Sequence, residues 1–199
     1  PWPKFTFGLT NTMQYKNFDL SIFLSGSYGN KVFNYLDMHL SGMTSIWDNQ
    51  LKKVTKRAQL EPIDPNKTYP TVINGVTVNN WFEDITNVKV SNPNTRIPRA
   101  IYNDPNDNNR ISNRYIEDGS YLRIKNIAFG YNLPATFVRK MKIDNLRIYA
   151  NIQNLYTFTK YSGYDPEIGA STASANVFGL DNGRYPSPQV YTFGLSLSF

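Results

Sequence analysis

The chain has 199 residues, with 21 Lys and Arg against 15 Asp and Glu, a formal net charge of +6 and a pI near 9.4. It has no cysteine, which excludes a disulfide scaffold and any thiolate metal centre. Mean hydropathy is −0.47, and no run approaches the ~18 apolar residues of a transmembrane helix; a barrel strand, apolar only at alternate positions, escapes that test.

The opening residues, "PWPKFTFGLT", have neither the charged region nor the apolar region of a signal peptide and already read as strand. The chain is therefore expected to be a piece whose N-terminal part lies outside it. Over 4–15, Phe5, Phe7, Leu9, Met13 and Tyr15 share one face, and Lys4, Thr6, Gly8, Thr10, Thr12 and Gln14 share the other. This is period-two patterning. Lys16-Asn17 suits a tight hairpin turn. A second strand over 18–29 places Phe18, Leu20, Ile22, Leu24 and Tyr28 opposite Asp19, Ser21, Ser25 and Ser27.

Residues 30–119 differ in character. Leu36, Leu40, Met43, Trp47, Leu51, Val54 and Ala58 recur at spacings of three and four, which predicts an amphipathic helix weakened at Ser41-Gly42. "VINGVTV" predicts a small hairpin on Asn74-Gly75. The remainder is turn-rich loop, ordered rather than low-complexity. The strand over 120–133 breaks phase: Leu122 and Ile124 alternate, then Ile127, Phe129 and Tyr131 run one residue out of step. A bulge near Lys125-Asn126 restores a single apolar face. A strand over 144–158 sets Leu146, Ile148, Ala150 and Ile152 against Arg147, Tyr149, Asn151 and Gln153. A loop over 159–188 leads to the last strand, 189–199, in which Tyr191, Phe193, Leu195, Leu197 and Phe199 alternate with small or polar residues.

Connections are short at 16–17 and 134–143 and long at 30–119 and 159–188. In an up-and-down antiparallel sheet this puts both long loops at one end, the asymmetry of an outer-membrane barrel. The fold class expected is all-β: about five long strands of a large antiparallel transmembrane β-barrel, with long extracellular loops that include one helix. Five strands cannot close such a barrel. Open edges in hydrocarbon leave backbone groups unpaired at several kcal/mol each, so further strands are expected outside 1–199.

Four blocks, "PKFTFGLTNTMQYKNFDLSIFLSGSYGNKVFN", "IEDGSYLRIKNIAFGYNLP", "NLRIYANIQNLYTFTKYSGYDPE" and "YPSPQVYTFGLSLSF", resemble in this order the C-terminal end of SusC/RagA-family TonB-dependent outer-membrane transporters of Bacteroidetes. The resemblance is weakest over 35–110. It implies a barrel of about 22 strands around a plug domain, a SusD-like surface lipoprotein as lid, and energy from the TonB complex acting on an N-terminal part absent here. It also implies an outer-membrane location, a periplasmic C-terminus, and import of glycan or oligopeptide without cofactor or enzymatic chemistry. The pattern Tyr191, Phe193, Leu195, Leu197, Phe199 resembles the family's assembly signal, whose side chains then face outer-membrane lipid and lipopolysaccharide.

Individual residues add little chemistry. His39 is the single histidine, and with no cysteine it predicts neither a zinc site nor a catalytic triad. Asp165 and Glu167, two apart in "YDPEIG", read as a structural turn rather than a hydrolytic pair or a calcium loop. The cluster "KKVTKR" at 52–57 reads as a solvated face, or as a surface for lipopolysaccharide or an acidic substrate. Nucleic acid fits poorly, because 31–118 carries 11 Lys and Arg against 10 Asp and Glu. Asn151 and Gln153, expected in the lumen, and Tyr161, Tyr164 and Asp165 in the loops are the candidate substrate contacts. Trp47, Trp81 and Tyr185 are further loop aromatics able to stack on sugar or peptide. The competing readings are a passive porin or a siderophore or vitamin receptor barrel and, from another class, a soluble β-sandwich binding module.

Overall fold

The computed structural model describes residues 1–43, 47–100, 104, 106–171 and 174–199. The parts of the expected helix at 44–46, and of the expected loops at 101–103, 105 and 172–173, lie outside the described residues. In chain order the elements are β1 (Phe5–Tyr15), β2 (Phe18–Tyr28), β3 (Lys31–Asn34), α1 (Tyr35–Ser41), β4 (Leu60–Pro62), β5 (Tyr69–Ile73), β6 (Val76–Asn80), β7 (Val88–Val90) and β8 (Ile116–Asp118). They continue with β9 (Tyr121–Asn132), α2 (Ala135–Val138), β10 (Asn145–Thr159), β11 (Ala170–Ser171), β12 (Ser174–Phe178), β13 (Leu180–Asp181) and β14 (Val190–Ser198). Single 3-10 turns lie at Lys52–Lys56, Ile85–Asn87, Asn113–Tyr115 and Arg139–Met141. The chain divides into two compact units, Pro1–Leu36 with Ser112–Phe199, and Asp37–Ile111.

The first unit is built on an antiparallel sheet of order β1-β2-β9-β10-β14 among the described residues, with β1 and β14 at its edges. The five strands run 11, 11, 12, 15 and 9 residues. Paired residues share a face, so the alternation read along each strand continues across the sheet. Met13, Leu20, Phe129, Ala150 and Phe193 form one row, and Gln14, Asp19, Gly130, Tyr149 and Gly194 form the next on the opposite face. The apolar face is bare: Leu9 is 56% exposed and Phe193 77%.

The phase break resolves at Lys125. Opposite β2 the register steps from Phe23↔Asn126 to Leu24↔Ile124, leaving Lys125 as the extra residue. On the other side β10 steps from Gln153 to Tyr156, with Asn154 at φ 53°. These two irregularities return Ile124, Leu122, Tyr156 and Phe158 to the apolar face. One side chain departs from the pattern: Phe23 lies on the polar face, paired with Thr10, and its ring lies over Gly8, where a Cβ would sit 3.2 Å away.

Beyond the sheet, β13, β3 and β8 form a small three-stranded sheet, parallel between β13 and β3. Here the first unit has buried apolar residues, Val32 and Tyr115, with Phe33 edge-on to Tyr115 at 6.3 Å. The short connection 133–144 is a helical turn with Val138 buried beneath it.

In the second unit the predicted long helix is a correction. Helix α1 ends at Ser41, Met43 takes a left-handed φ of 51°, and among the described residues of 42–58 only the turn Lys52–Lys56 is helical again. Ser41-Gly42 is a strong stop, and among the described residues beyond it the three-four spacing is not realised as a continuous helix. The Leu51 N–H bonds the Leu40 carbonyl at 3.0 Å, so the chain doubles back. The hairpin on Asn74-Gly75 forms as β5–β6, both turn residues at positive φ. Buried Asn87 organises the neighbouring loop by donating to the Asp64 carbonyl at 3.0 Å and accepting from the Asp64 N–H at 2.8 Å. Among the described residues no helix is long and apolar enough to cross a membrane.

Candidate functional site

The polar face of the main sheet ends, near the long-loop end, in a cluster of charges. Arg123 on β9 is 3% exposed. Its Nε donates to Thr157 Oγ1 at 2.7 Å, its Nη1 to Glu167 Oε2 at 2.7 Å and its Nη2 to Asp165 Oδ1 at 2.5 Å. Lys125, turned toward the same loop by the bulge, donates to both Glu167 oxygens at 2.8 and 2.9 Å. Asp165 also accepts from the backbone N–H of Glu167 at 2.9 Å and of Ser187 at 3.1 Å. Burial alone raises a carboxyl pKa; these N–H donors and the Arg123 guanidinium outweigh it and hold Asp165 below its ordinary 3.8. Asp165 and Glu167 thus clamp the loop to the sheet. A cavity of about 530 Å³ opens over this clamp, lined by Lys125, Glu167, Arg184, Tyr185 and Ser187 among others.

A second buried group fixes the start of the loop. Tyr161 donates its hydroxyl to Asp181 Oδ2 at 2.5 Å, and Asp181, 1% exposed, also accepts from the Gly183 N–H at 2.9 Å. Glu117 accepts from Asn34 Nδ2 at 2.9 Å and from Ser162 Oγ at 2.7 Å, joining β8, β3 and the loop.

The sequence-selected residues divide accordingly. Tyr161 and Asp165 are buried anchors, while Tyr164 is 67% exposed. Asn151 and Gln153 lie on the polar face, opposite Thr192 and Val190. Asn151 Oδ1 is buried without a hydrogen-bond partner among the described residues. Tyr191, Phe193, Leu195 and Leu197 occupy the apolar face of β14, and with Phe199 all are exposed. Trp47 and Tyr185 are exposed, and Trp81 stands edge-on to Phe82 at 5.8 Å. His39 Nε2 lies 2.8 Å from Asp48 Oδ2 at the surface of the second unit. Among the described residues no group of three or more His, Asp or Glu could hold a metal. Sequence reading passed over Arg123 and Lys125. The usable signal was the match between two cations two apart, at a phase break, and two acids two apart in a later loop.

On the same polar face Arg147 reaches across Gly130 to Asp19, at 2.6 and 2.8 Å. The Tyr149 ring lies over Gly194. In both places a glycine clears the space a larger neighbour occupies.

No protein-family model matches the chain. TonB-dependent receptor P3 of Formosa agariphila is 34% identical over 203 aligned positions, covering all of this chain and 17% of that protein. TonB-dependent receptor P26 of the same organism is 28% identical over 202 positions. TonB-dependent receptor SusC of Bacteroides thetaiotaomicron is 27% identical over 194, covering 96% of this chain. The chain spans 15 to 17% of the length of these relatives. A solved structure of the RagAB peptide transporter superposes with a TM-score of 0.64 at 22% identity, over 96% of this chain and 17% of that one. The RagAB peptide importer in its closed-closed state gives 0.62 at 20% identity. These structures establish the likeness of fold, an all-β domain of the type found in that transporter. The chain is a homologue, at low to moderate identity and over a fraction of their length, of the SusC/RagA/TonB-dependent receptor superfamily.

Proposed function

We propose that the chain is the C-terminal part of an outer-membrane β-barrel that imports nutrient oligomers, glycans or oligopeptides, by TonB-dependent active transport. The observation that carries this reading is the main sheet. Its five adjacent strands average longer than the roughly 9–11 residues that cross a bilayer at a tilt. Its apolar side chains stand bare on one face and its polar ones line the other. Its connections alternate short and long. In this reading Tyr191, Phe193, Leu195, Leu197 and Phe199 face lipid, and Phe199 ends at the interfacial girdle. The same strand serves as the assembly signal, by pairing edge to edge. The C-terminus is periplasmic and the loops after β2 and β10 are extracellular.

The cargo path follows the polar face. Asn151, whose Oδ1 lacks a partner among the described residues, and Gln153 line the lumen, and Tyr164 and Tyr185 present rings at its outer end. Tyr161 and Asp165 act by holding that loop in place. A SusD-like lipoprotein covers the extracellular side, and the TonB complex acts through a segment outside this chain. No step calls for a cofactor or covalent chemistry. The acids of "YDPEIG" are bound by Arg123 and Lys125, an arrangement suited to structure rather than hydrolysis.

A second reading, a soluble β-rich binding module, draws on the open sheet, the mean hydropathy of −0.47 and the division into two compact units. A receptor barrel without a lid, for a siderophore or vitamin, or a passive porin, shares the sheet but needs no lipoprotein. Intact-mass analysis of the protein from outer-membrane fractions, with whatever copurifies in mild detergent, separates these readings. The import reading expects a detergent-requiring species accompanied by a lipoprotein. A detergent-requiring species alone favours a barrel without a lid. A species that stays dispersed without detergent overturns the barrel.

A further inference from the structure

The basic cluster at 52–57 has a different fate for each residue. Val54 is buried, Lys53 ion-pairs with Asp37, and Arg57 Nη1 turns back to the Val54 carbonyl at 3.4 Å. Lys56 stays exposed. The loop 91–97 is pinned against this turn. Asn92 Oδ1 accepts from the Gln59 N–H at 2.8 Å and its Nδ2 donates to the Arg57 carbonyl at 2.9 Å. Thr95 Oγ1 donates to the Lys56 carbonyl at 2.6 Å, and the Ala58 N–H bonds the Ile97 carbonyl at 2.9 Å. The pinned loop carries Arg96 to the same cavity as Lys56, about 570 Å³ and lined also by Asn94 and Thr95.

Neither Lys56 nor Arg96 has an anionic partner among the described residues. Four acids of this unit are engaged elsewhere: Asp37 with Lys53, Asp48 with His39, Glu61 with Lys89, and Asp84 with Thr86 and Tyr69. Two like charges held at one cavity by a hydrogen-bonded scaffold repel each other, and an anion between them reverses the sign of that interaction. The guanidinium fork suits bidentate contact to an oxyanion and the ammonium adds a point charge.

We propose that this cleft is an oxyanion-binding site, with Lys56 and Arg96 gripping a phosphate, sulfate or carboxylate group. The inference concerns the second unit alone and does not require the sheet of the first to span a membrane. An acidic saccharide and the phosphorylated sugars of lipopolysaccharide present the same chemistry.

Calorimetric titration of the protein in mild detergent at low salt, with glucose 1-phosphate and separately with lipopolysaccharide micelles, tests the site. Lys56→Ala and Arg96→Ala should each weaken binding about tenfold, and the double variant should abolish it. Lys67→Ala, which removes an equal charge elsewhere on the unit, should leave it unchanged. Both target side chains are exposed, and unchanged circular dichroism separates lost binding from lost fold. Binding of the soluble sugar phosphate assigns the source to a dissolved acidic saccharide, and binding of the micelles alone assigns it to the lipid headgroup. Absence of binding to both probes, or equal weakening by Lys67→Ala, overturns the site.

Discussion

Arg123 on β9 and Asp165 in the loop after β10 form a buried hydrogen-bonded ion pair at 2.5 Å, across 42 residues of sequence. Each of the three guanidinium nitrogens donates to one partner: Nε to Thr157, Nη1 to Glu167 and Nη2 to Asp165. Removing one partner of a buried pair leaves the other charge without compensation, at a cost of about 3–5 kcal/mol. Arg123→Met should therefore lower thermal stability in detergent and open the loop 160–188 to proteolysis. Arg123→Met combined with Asp165→Leu should recover part of the loss, because the stranded carboxylate is gone.

The same clamp is acid-sensitive. Asp165 has its carboxyl held below 3.8 in the folded protein. A depressed carboxyl contributes its stability at pH values above the unfolded value, near 3.9, and loses it as pH falls through the lower folded value. Proteolytic protection of the loop should hold from neutrality down to about pH 4 and fail below it. Asp165→Asn should remove that step from the pH profile.

Tyr161 and Asp181 give a test of anchoring against substrate contact. Asp181 is 1% exposed and takes the Tyr161 hydroxyl at 2.5 Å. Tyr161→Phe keeps the ring and deletes the donor, and should cost about 1–3 kcal/mol through the poorly satisfied carboxylate. Tyr164→Ala should leave stability within about 0.5 kcal/mol, as expected for an exposed side chain, and on the import reading its effect should fall on ligand uptake instead.

Two glycines on the polar face hold larger neighbours in place. A Cβ at Gly130 would strike the Arg147 guanidinium and Asp19, and one at Gly194 would strike the Tyr149 ring. Gly130→Val and Gly194→Val should each destabilise by about 1–3 kcal/mol, the range for overpacking. Gly75→Ala is the informative contrast: no neighbour lies within 4 Å, but its φ of 79° makes the cost one of backbone strain alone. Chemical denaturation of the three variants measures the difference.

The main sheet was legible because a period of two survives in sequence when each face meets a uniform environment. Even the break at Lys125 was legible, since a bulge shifts the phase by one residue and leaves a countable trace. The helix over 36–58 was not, because a three-four spacing is only a necessary sign. Ser41-Gly42 and the left-handed Met43 end it after one short segment. Phe23 was passed over because an aromatic on a polar face looks like noise until Gly8 is seen beneath it. The charge clamp left no periodic trace, only the matched spacing of its cations and acids: it joins Arg123 to residues 34 to 44 positions away, and no local period encodes such a distance. The parallel pairing of β3 with β13 was hidden for the same reason.

The central claim is that the apolar face of β14 meets lipid and its polar face meets water. The chain has no cysteine, so single cysteines at Thr192, Phe193, Leu195 and Ser196 can each carry a nitroxide in bilayer-reconstituted protein. The account predicts that labels at Phe193 and Leu195 are relaxed by oxygen dissolved in the bilayer, and labels at Thr192 and Ser196 by a water-soluble nickel chelate. Equal access of the nickel chelate to all four positions, with no change when lipid is removed, would contradict it.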